Sequence, residues 1–519
     1  MPDKAQISER THPLYDDNID LWILYYTSAQ GGNNFITDAN LFSHRLEDSD
    51  DYQERLDRAY FLNFCDTIPT IYNSYIFKSE IERKPDPVLD LFRRNVDGIG
   101  TDISEFTKKV GYLASVYGIV HVLVDMPQEI AKAKRTKSKG LSRADTKNIT
   151  PYVSVIHPTK LKDWSIDAFG KFRWVIIELD HYEDSDVTLE REEKTLYKVI
   201  TLEEWWIEDE DQKKIKFEDG SVSEGPNELG IIPIITMYHK DLSNNKVGES
   251  LLKDIVYVNR IVMNWCSCID EMIERQTFSQ LTIPDDGTMS ELKEGGSDPL
   301  QSVGTSSIWT YPSDSKTPPA FISPNAENLA TVWKLIADHI KEIYRMSGLI
   351  GGTSDLYAAK SGRQSQMSFL GTNSALAEKA ATYQKFENQI SQIAYLHLGK
   401  NPEEFEEVAY PTQFDVTALS DEINDSFAIM ERNFSPIFNK VLQKNIVRKA
   451  IPTAPQSLRE SIEDEIEAGD GIVEPIRSGL GDSGMTDNGD GNPNSNLGNT
   501  NRTSKQNDAE NTGKQKVKE

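Results

Sequence analysis

The segment Glu249–Thr277, ESLLKDIVYVNRIVMNWCSCIDEMIERQT, is followed after nearly fifty residues by Asn325–Met346, NAENLATVWKLIADHIKEIYRM. Then come GLIGGTSDLYAAKSG (Gly348–Gly362) and a third long helical pattern over Met367–Leu398, closed by Gly399 as a natural helix C-cap. In the first segment Leu252, Ile255, Ile261, Trp265, Ile269, Met272 and Ile273 recur at helical spacing and give a broad apolar face. Some 28 residues at 1.5 Å each extend roughly 40 Å. In the second, Leu329, Trp333, Ile336, Ile340 and Ile343 face one way, and Lys334, Asp338, Lys341 and Arg345 fall on the polar side. The intervening stretch is rich in Gly and Pro, with short strand candidates at Ser306–Tyr311 and Ala320–Ile322. A packed hairpin uses a short turn, so two long helices separated in this way predict a stalk that leaves a body and returns. A stalk with apolar faces needs neighbours, and the expectation is a ring or tube.

Outward from that stretch, the 519-residue chain is long enough for two to four domains. It is 38% hydrophobic and 27% charged, and no apolar run approaches the ~18–20 residues of a membrane helix. The most apolar run, Val116–Val124 (VYGIVHVLV), holds His121 and reads as a buried strand. The polar N-terminus is not expected to be a secretory signal. Cys65, Cys266 and Cys268 form neither a disulfide framework nor the usual zinc spacing. The net charge is −27, opposite to that of a protein that wraps phosphates. Such a chain either avoids nucleic acid or stays close to it without adhering, as a passage for a polyanion would.

Residues 1–50 read as loosely ordered around an aromatic helix, Asp20–Thr27. Tyr52–Phe64 (YQERLDRAYFLNF) predicts a helix with Leu56, Tyr60 and Phe64 on one face, running on past a kink or break at Pro69 through Ile71 and Ile76. Asp86–Arg94 and Ile103–Ser115 predict further helices. Strands are predicted at Tyr117–Asp125, Tyr152–His157, Phe172–His181, Leu196–Glu208, Lys213–Phe217 and Ile231–Tyr238, so residues 50–240 read as an α+β body. Past the third long helix, Phe414–Thr417 predicts a strand, and Asp421–Lys444 and Leu458–Ala468 predict helices. From about Gly479 the composition predicts disorder.

No Walker-type loop, zinc-protease motif, nucleophile elbow or dinucleotide fingerprint occurs. Lys360-Ser361 after Gly351-Gly352 has the wrong spacing for a phosphate loop, and the eight histidines are scattered singly. The acidic runs Glu208–Asp211 and Glu463–Glu465 read as solvated faces before metal sites. No catalytic residue, metal or cofactor is therefore expected. Two segments stand out. Lys132–Lys147 carries Lys132, Lys134, Arg135, Lys137, Lys139 and Arg143; a mobile insertion between strands explains it more simply than phosphate contact. Gly348–Gly362 is longer than an ordinary helix connection, and Lys360 and Arg363 place positive charge at its far end.

The order of these parts resembles the portal proteins of tailed bacteriophages. The likeness rests on Tyr52-Gln53-Glu54-Arg55, Arg58-Ala59 and Asn63; on Gly118–Pro127 (GIVHVLVDMP); on Ile232-Pro233-Ile234 ahead of Gly248-Glu249-Ser250-Leu251-Leu252; and on Ala375–Ala380 (ALAEKA), Glu387 and Leu398-Gly399. It spans roughly residues 45 to 450, and its strength lies in the succession rather than in one motif. The resemblance implies an α+β portal-type fold and a ring, usually of twelve. Its parts are an N-terminal segment (1–39, partly flexible), a wing (40–245, rejoined by 365–420), stem helices (249–277 and 325–347) and a small α/β clip (278–324). A tunnel loop (348–364), a helical crown (421–470) and a disordered tail (471–519) complete it.

By that resemblance the ring sits at one capsid vertex of the virion after assembly in the host cytoplasm. It nucleates the head, docks the terminase large subunit, passes double-stranded DNA in and out, and meets major capsid, scaffolding and head-completion or tail proteins, with no membrane, cofactor or enzymatic activity. Within it, Gly351, Gly352, Lys360 and Arg363 fall in the tunnel loop. Lys341 and Arg345 are candidates for the stem lumen, and Lys134, Arg135, Lys137 and Lys139 form a basic loop on the wing that the general portal pattern does not contain. A metal-dependent nucleic-acid-processing enzyme, and a ring-forming channel or adaptor unrelated to phages, are the competing readings.

Overall fold

The computed structural model describes residues 6–126, 150–183, 192–215, 223–241, 245–276, 280–285, 308–312, 320–322, 326–349, 362–414, 426, 428–430, 432, 435–450 and 456–469. The chain divides into two compact units, Met1–Val416 and Thr417–Glu519.

In the first unit, helices α1 (Pro13–Asp16), α2 (Ile19–Gln30), α3 (Ser49–Arg58), α4 (Phe64–Ile76), α5 (Asp90–Arg94) and α6 (Ile103–Tyr117) precede the first sheet. That sheet has the order β2 (Tyr152–Ile156), β1 (Ile119–Asp125), β8 (Ile234–Tyr238), all antiparallel. β1 is the unbroken apolar run of the sequence. It is buried over its first six residues because neighbours pair with both edges and helices cover its faces. His121 sits inside it, with Nδ1 3.0 Å from Thr236 Oγ1, and burial pushes its pKa down to about 3, so it is a neutral core residue. A second antiparallel sheet has the order β3 (Leu161–Ile166), β4 (Phe172–Glu183), β5 (Glu192–Thr201), β6 (Glu204–Glu208), β7 (Glu224–Pro226).

The α+β class read from sequence holds, and several boundaries differ for identifiable reasons. Leu196–Glu208 is two strands: Thr201 Oγ1 accepts the amides of Glu203 and Glu204 and turns the chain. β3 has no counterpart in the predicted strands, because a bulge between Leu161 and Asp163 breaks its alternation and its Asp163 is a buried charge paired with Arg10 at 2.9 Å. The helix expected over Tyr52–Phe64 ends at Arg58 and restarts at Phe64. Between them Asn259 grips the backbone twice: its Nδ2 donates to Leu62 O at 2.8 Å and its Oδ1 accepts from Phe64 N at 3.1 Å. Asn63 caps the new helix through Asp66 N, and Pro69 lies inside it. Residues 6–41, expected to be loosely ordered, pack into the body through buried Tyr15, Trp22, Tyr25, Phe35 and Leu41. His12 stacks on Trp164 with ring centroids 4.0 Å apart. Phe414, expected to start a strand, is buried outside any strand, and 415–417 lie outside the described residues.

Past β8 the unit continues with α7 (Ile255–Gln276), β9 (Gln280–Asp285), β10 (Ile308–Pro312), β11 (Ala320–Ile322), α8 (Ala326–Met346) and α9 (Gly362–His397). The three short strands form a sheet of order β10-β9-β11, with β10 parallel and β11 antiparallel to β9. β11 pairs only with Gln280–Thr282, so Pro284 of β9 lies where the strand has one bonded edge. In the second unit, α10 (Pro436–Ala450) and α11 (Gln456–Ala468) are joined by Lys444–Glu467 and Arg448–Glu463 ion pairs at 2.6 and 2.7 Å. The helix expected over Asp421–Lys444 is interrupted: residues 426 and 428–430 are helical, 432 and 435 are not, and α10 begins anew at Pro436, a first-turn position where a missing N–H is harmless.

Candidate functional site

α7 and α8 pack against each other and span about 33 and 31 Å. α7 starts at Ile255, not Glu249, because residues 249–254 are tied to the end of α6. Ser250 Oγ donates to Val116 O at 2.5 Å and accepts from Leu252 N, and Leu251 N donates to Ser115 O. At the same place two backbones cross: a Cβ on Gly118 (φ +88°) would lie 2.6 Å from Gly248 O, and one on Gly248 would lie 2.2 Å from Gly118 O.

Much of α7 is anchored to the body and does not stand free as a stalk. Asn259 holds Leu62 and Phe64; Asn264 Oδ1 accepts from Phe42 N at 2.8 Å and its Nδ2 donates to Asn40 O at 2.9 Å. Arg55, buried, donates to Ser267 Oγ at 3.1 Å and to Phe42 O at 2.7 Å while paired with Glu47 at 2.7 Å. Its guanidinium pulls the Glu47 carboxyl down to about 2. Ile255, Val256, Val262, Met263, Cys266 and Ile269 are buried on this side. The apolar face read from sequence is therefore split. Leu252, Ile255 and Ile269 point into the body, whereas Ile261, Trp265 and Ile273 are 40%, 37% and 47% exposed, with Tyr257 at 40% beside them. Tyr257, Ile261 and Trp265 follow the i, i+4, i+8 ridge of one outer face.

α8 is arranged the opposite way. Ile336 and Ile343 are buried, and its outer face carries charge. Lys341 pairs with Asp338 at 3.1 Å, and Arg345 Nε donates to both Glu342 oxygens at 2.8 and 2.9 Å, which holds the Glu342 carboxyl below its ordinary range. Both sequence-picked cations are thus exposed and locally neutralised one turn away. Trp333, assigned from spacing to the apolar side, is 61% exposed on its shoulder. Gly351, Gly352 and Lys360 lie outside the described residues, as do Lys134, Arg135, Lys137 and Lys139. Arg363 lies in the first turn of α9.

α9 seats the pair on the body. Glu387 is fully buried, accepts two bonds from Arg83 at 2.6 and 2.9 Å, and accepts from Tyr410 OH at 2.7 Å. Tyr383 lies against Gly111 of α6 and bonds Asn73 of α4. Among the described residues no group of three or more His, Cys, Asp or Glu side chains is placed to hold a metal ion, and no helix is long and apolar enough to cross a membrane. A cleft of about 220 Å³ between α2 and the β8–α7 connection has an aromatic floor of Trp22, Tyr25 and Tyr117. On its rim Glu249 takes hydrogen bonds from Lys240 and Lys253.

The class these elements define is an α+β protein with a pair of long helices spanning a small mixed sheet. Among solved structures the chain is similar to a chain in the virion of a native gene transfer agent particle, with 12% identity over 72% of this chain and 86% of that one and a TM-score of 0.35. It is also similar to a chain in the neck of an empty gene transfer agent particle computed with C6 symmetry, with 11% identity over 73% and 89% and a TM-score of 0.39. No protein-family model and no curated protein matches it.

Proposed function

We propose that this chain is the subunit of a portal: a ring at one capsid vertex that passes double-stranded DNA, docks the terminase and carries the tail connector. The observation that carries the reading is α7. A helix apolar on its body side and apolar again on its outer face, through Tyr257, Ile261 and Trp265, belongs in an interior. A second copy supplies that interior when subunits stand side by side. The outer face of α8, with its paired Lys341, Asp338, Glu342 and Arg345, is then left to line a wet passage. In this reading α7 and α8 are the stem, residues 278–324 the clip, 348–364 the tunnel loop, 421–470 the crown, and the remaining α+β body the wing.

The overall charge of −27 suits a passage in which DNA slides, since a twelve-membered ring would carry on the order of −300 charges and hold a polyanion weakly. Lys360 and Arg363 damp that repulsion locally, Lys341 and Arg345 less so because Asp338 and Glu342 already pair with them, and the basic stretch 132–147 meets another partner from the wing. Electron microscopy of concentrated protein and of capsids from cells making it with its capsid partners is the test. End-on rings with a central hole are expected; particles without a ring at any vertex, together with monomers at high concentration, overturn the proposal.

A further inference from the structure

The joint between α8 and α9 is fastened at several points. Ser347 and Leu349 are buried. Tyr72 OH, from α4, donates to Ser347 O at 2.5 Å, and Thr372 Oγ1, from α9, donates to Gly348 O at 2.9 Å. Gly348 is left-handed (φ +77°), and a Cβ there would lie 3.1 Å from Tyr72 OH. The root of α8 is therefore clamped from two helices at two successive carbonyls.

Beneath the clamp lies a buried amine. Lys379 of α9 is 9% exposed, its Nζ donates to Ser115 Oγ at 2.6 Å, and Nζ sits 5.4 Å from the centre of the Tyr72 ring. Ser115 Oγ passes the chain on to Gly111 O at 2.8 Å. The titratable groups around Lys379 are Tyr72 from α4, His239 from the segment after β8, and Tyr383 one turn along α9. His239 Nδ1 is itself buried with no hydrogen-bond partner among the described residues. Lys379 forms no ion pair with a carboxylate among the described residues, and burial alone pushes its pKa down to about 7. An unpaired lysine at such a place is costly when charged.

We propose that Lys379 and Tyr72 form a proton-sensitive latch at the root of α8. With the amine uncharged, Lys379 donates to Ser115, the Tyr72 ring lies over it, and the Tyr72 hydroxyl holds Ser347. Uptake of one proton from solvent converts the amine to an ammonium ion enclosed by α4, α6 and α9 with no counter-ion. Opening the joint, which hydrates the ammonium, then becomes easier. The device stands apart from the portal reading, since it acts within one subunit.

The test is amide hydrogen exchange of peptides spanning 344–349, measured on the full chain from pH 6 to 9 and divided by the intrinsic rate at each pH. In the wild-type protein the opening constant is expected to rise about tenfold for each pH unit lowered from 9 to 7 and to level off below that. Lys379→Met removes the slope. Tyr72→Phe raises opening at every pH and keeps the slope. A wild-type slope below about twofold per unit over that window overturns the latch, as does a slope that survives in Lys379→Met. The decisive slope is read on wild-type protein, so a variant that fails to fold does not remove the test, and Lys379→Gln serves as the second replacement.

Discussion

Replacing Trp265 by Glu probes the outer face of α7. An aromatic side chain offers about 150–250 Å², so the 37% of Trp265 left exposed amounts to roughly 75 Å². Covering it against a neighbour is worth about 2 kcal/mol at 25 cal/mol per Å². The Trp265→Glu change would forfeit that and would also seat a carboxylate beside Tyr257 and Ile261, a desolvation penalty of several kcal/mol when no partner is supplied. The combined loss, about 4 kcal/mol or more per contact, weakens each subunit–subunit contact on the order of 10³-fold. The subunit itself should lose roughly 3 kcal/mol, because the part of Trp265 already covered within the monomer, roughly 125 Å² on the same scale, is given up as well, and the melt must show that the fold survives this. Light scattering coupled to gel filtration, with electron microscopy of the same fractions, reads the assembly; thermal melting of the monomer reads the fold. The expected result is an intact monomer that no longer closes into rings, while Trp265→Phe still assembles. Rings from Trp265→Glu at the wild-type concentration would show that nothing covers this face and would remove the observation on which the portal reading rests.

Two further outcomes follow from the body. Gly111→Ala should destabilise the first unit by about 2–4 kcal/mol, because its Cβ would lie 1.9 Å from the hydroxyl of buried Tyr383, and neither the ring nor its Asn73 bond has room to yield. Denaturant melts check this, and combination with Tyr383→Leu should be less than additive. Glu47→Gln should flatten the acid limb of stability. The folded carboxyl titrates at about 2, below its ordinary 4.5, so its contribution is complete above about pH 5 and is lost as pH falls toward 2. A wild-type loss of order 3 kcal/mol across that window, absent in the variant, is expected from pH-dependent unfolding.

The three long helices were legible because a period of 3.6 runs through them without interruption. Which side of α7 meets the body was not. The body-facing side admits the polar Asn259 and Ser267 among its apolar residues, and the outer side also holds Ile261 and Trp265, so polarity does not mark which face is inward. Spacing at 100° per residue cannot separate one wide apolar face from two. The break at residues 59–63 was hidden for a related reason: it is imposed by Asn259, nearly two hundred residues away, rather than by local propensity. β3 was lost to a bulge and a buried Asp163. The packing of the N-terminal segment was hidden because its many polar residues outweigh a few anchors, Tyr15, Trp22 and Tyr25, whose partners come from distant parts of the chain. Within the candidate site, Lys341 and Arg345 were found from the polar stripe of α8, but their neutralisation by Asp338 and Glu342 was also readable at spacing i−3. Lys379 gave no signal beyond a lysine in a small-residue stretch, since its burial depends on α4 and α6 arriving from elsewhere.

The crossing of Gly118 and Gly248 has a mechanical meaning. A pull along α7 reaches the start of the first sheet through two backbone bonds and one short serine side chain rather than through long side chains, which stretch and rotate. It passes through Leu251 N to Ser115 O, Ser250 Oγ to Val116 O and His239 N to Gly118 O, short bonds laid side by side where the two backbones touch. Springs in parallel add their stiffness, so these three bonds together make the junction of α6, the first sheet and the start of α7 stiffer than any one of them would.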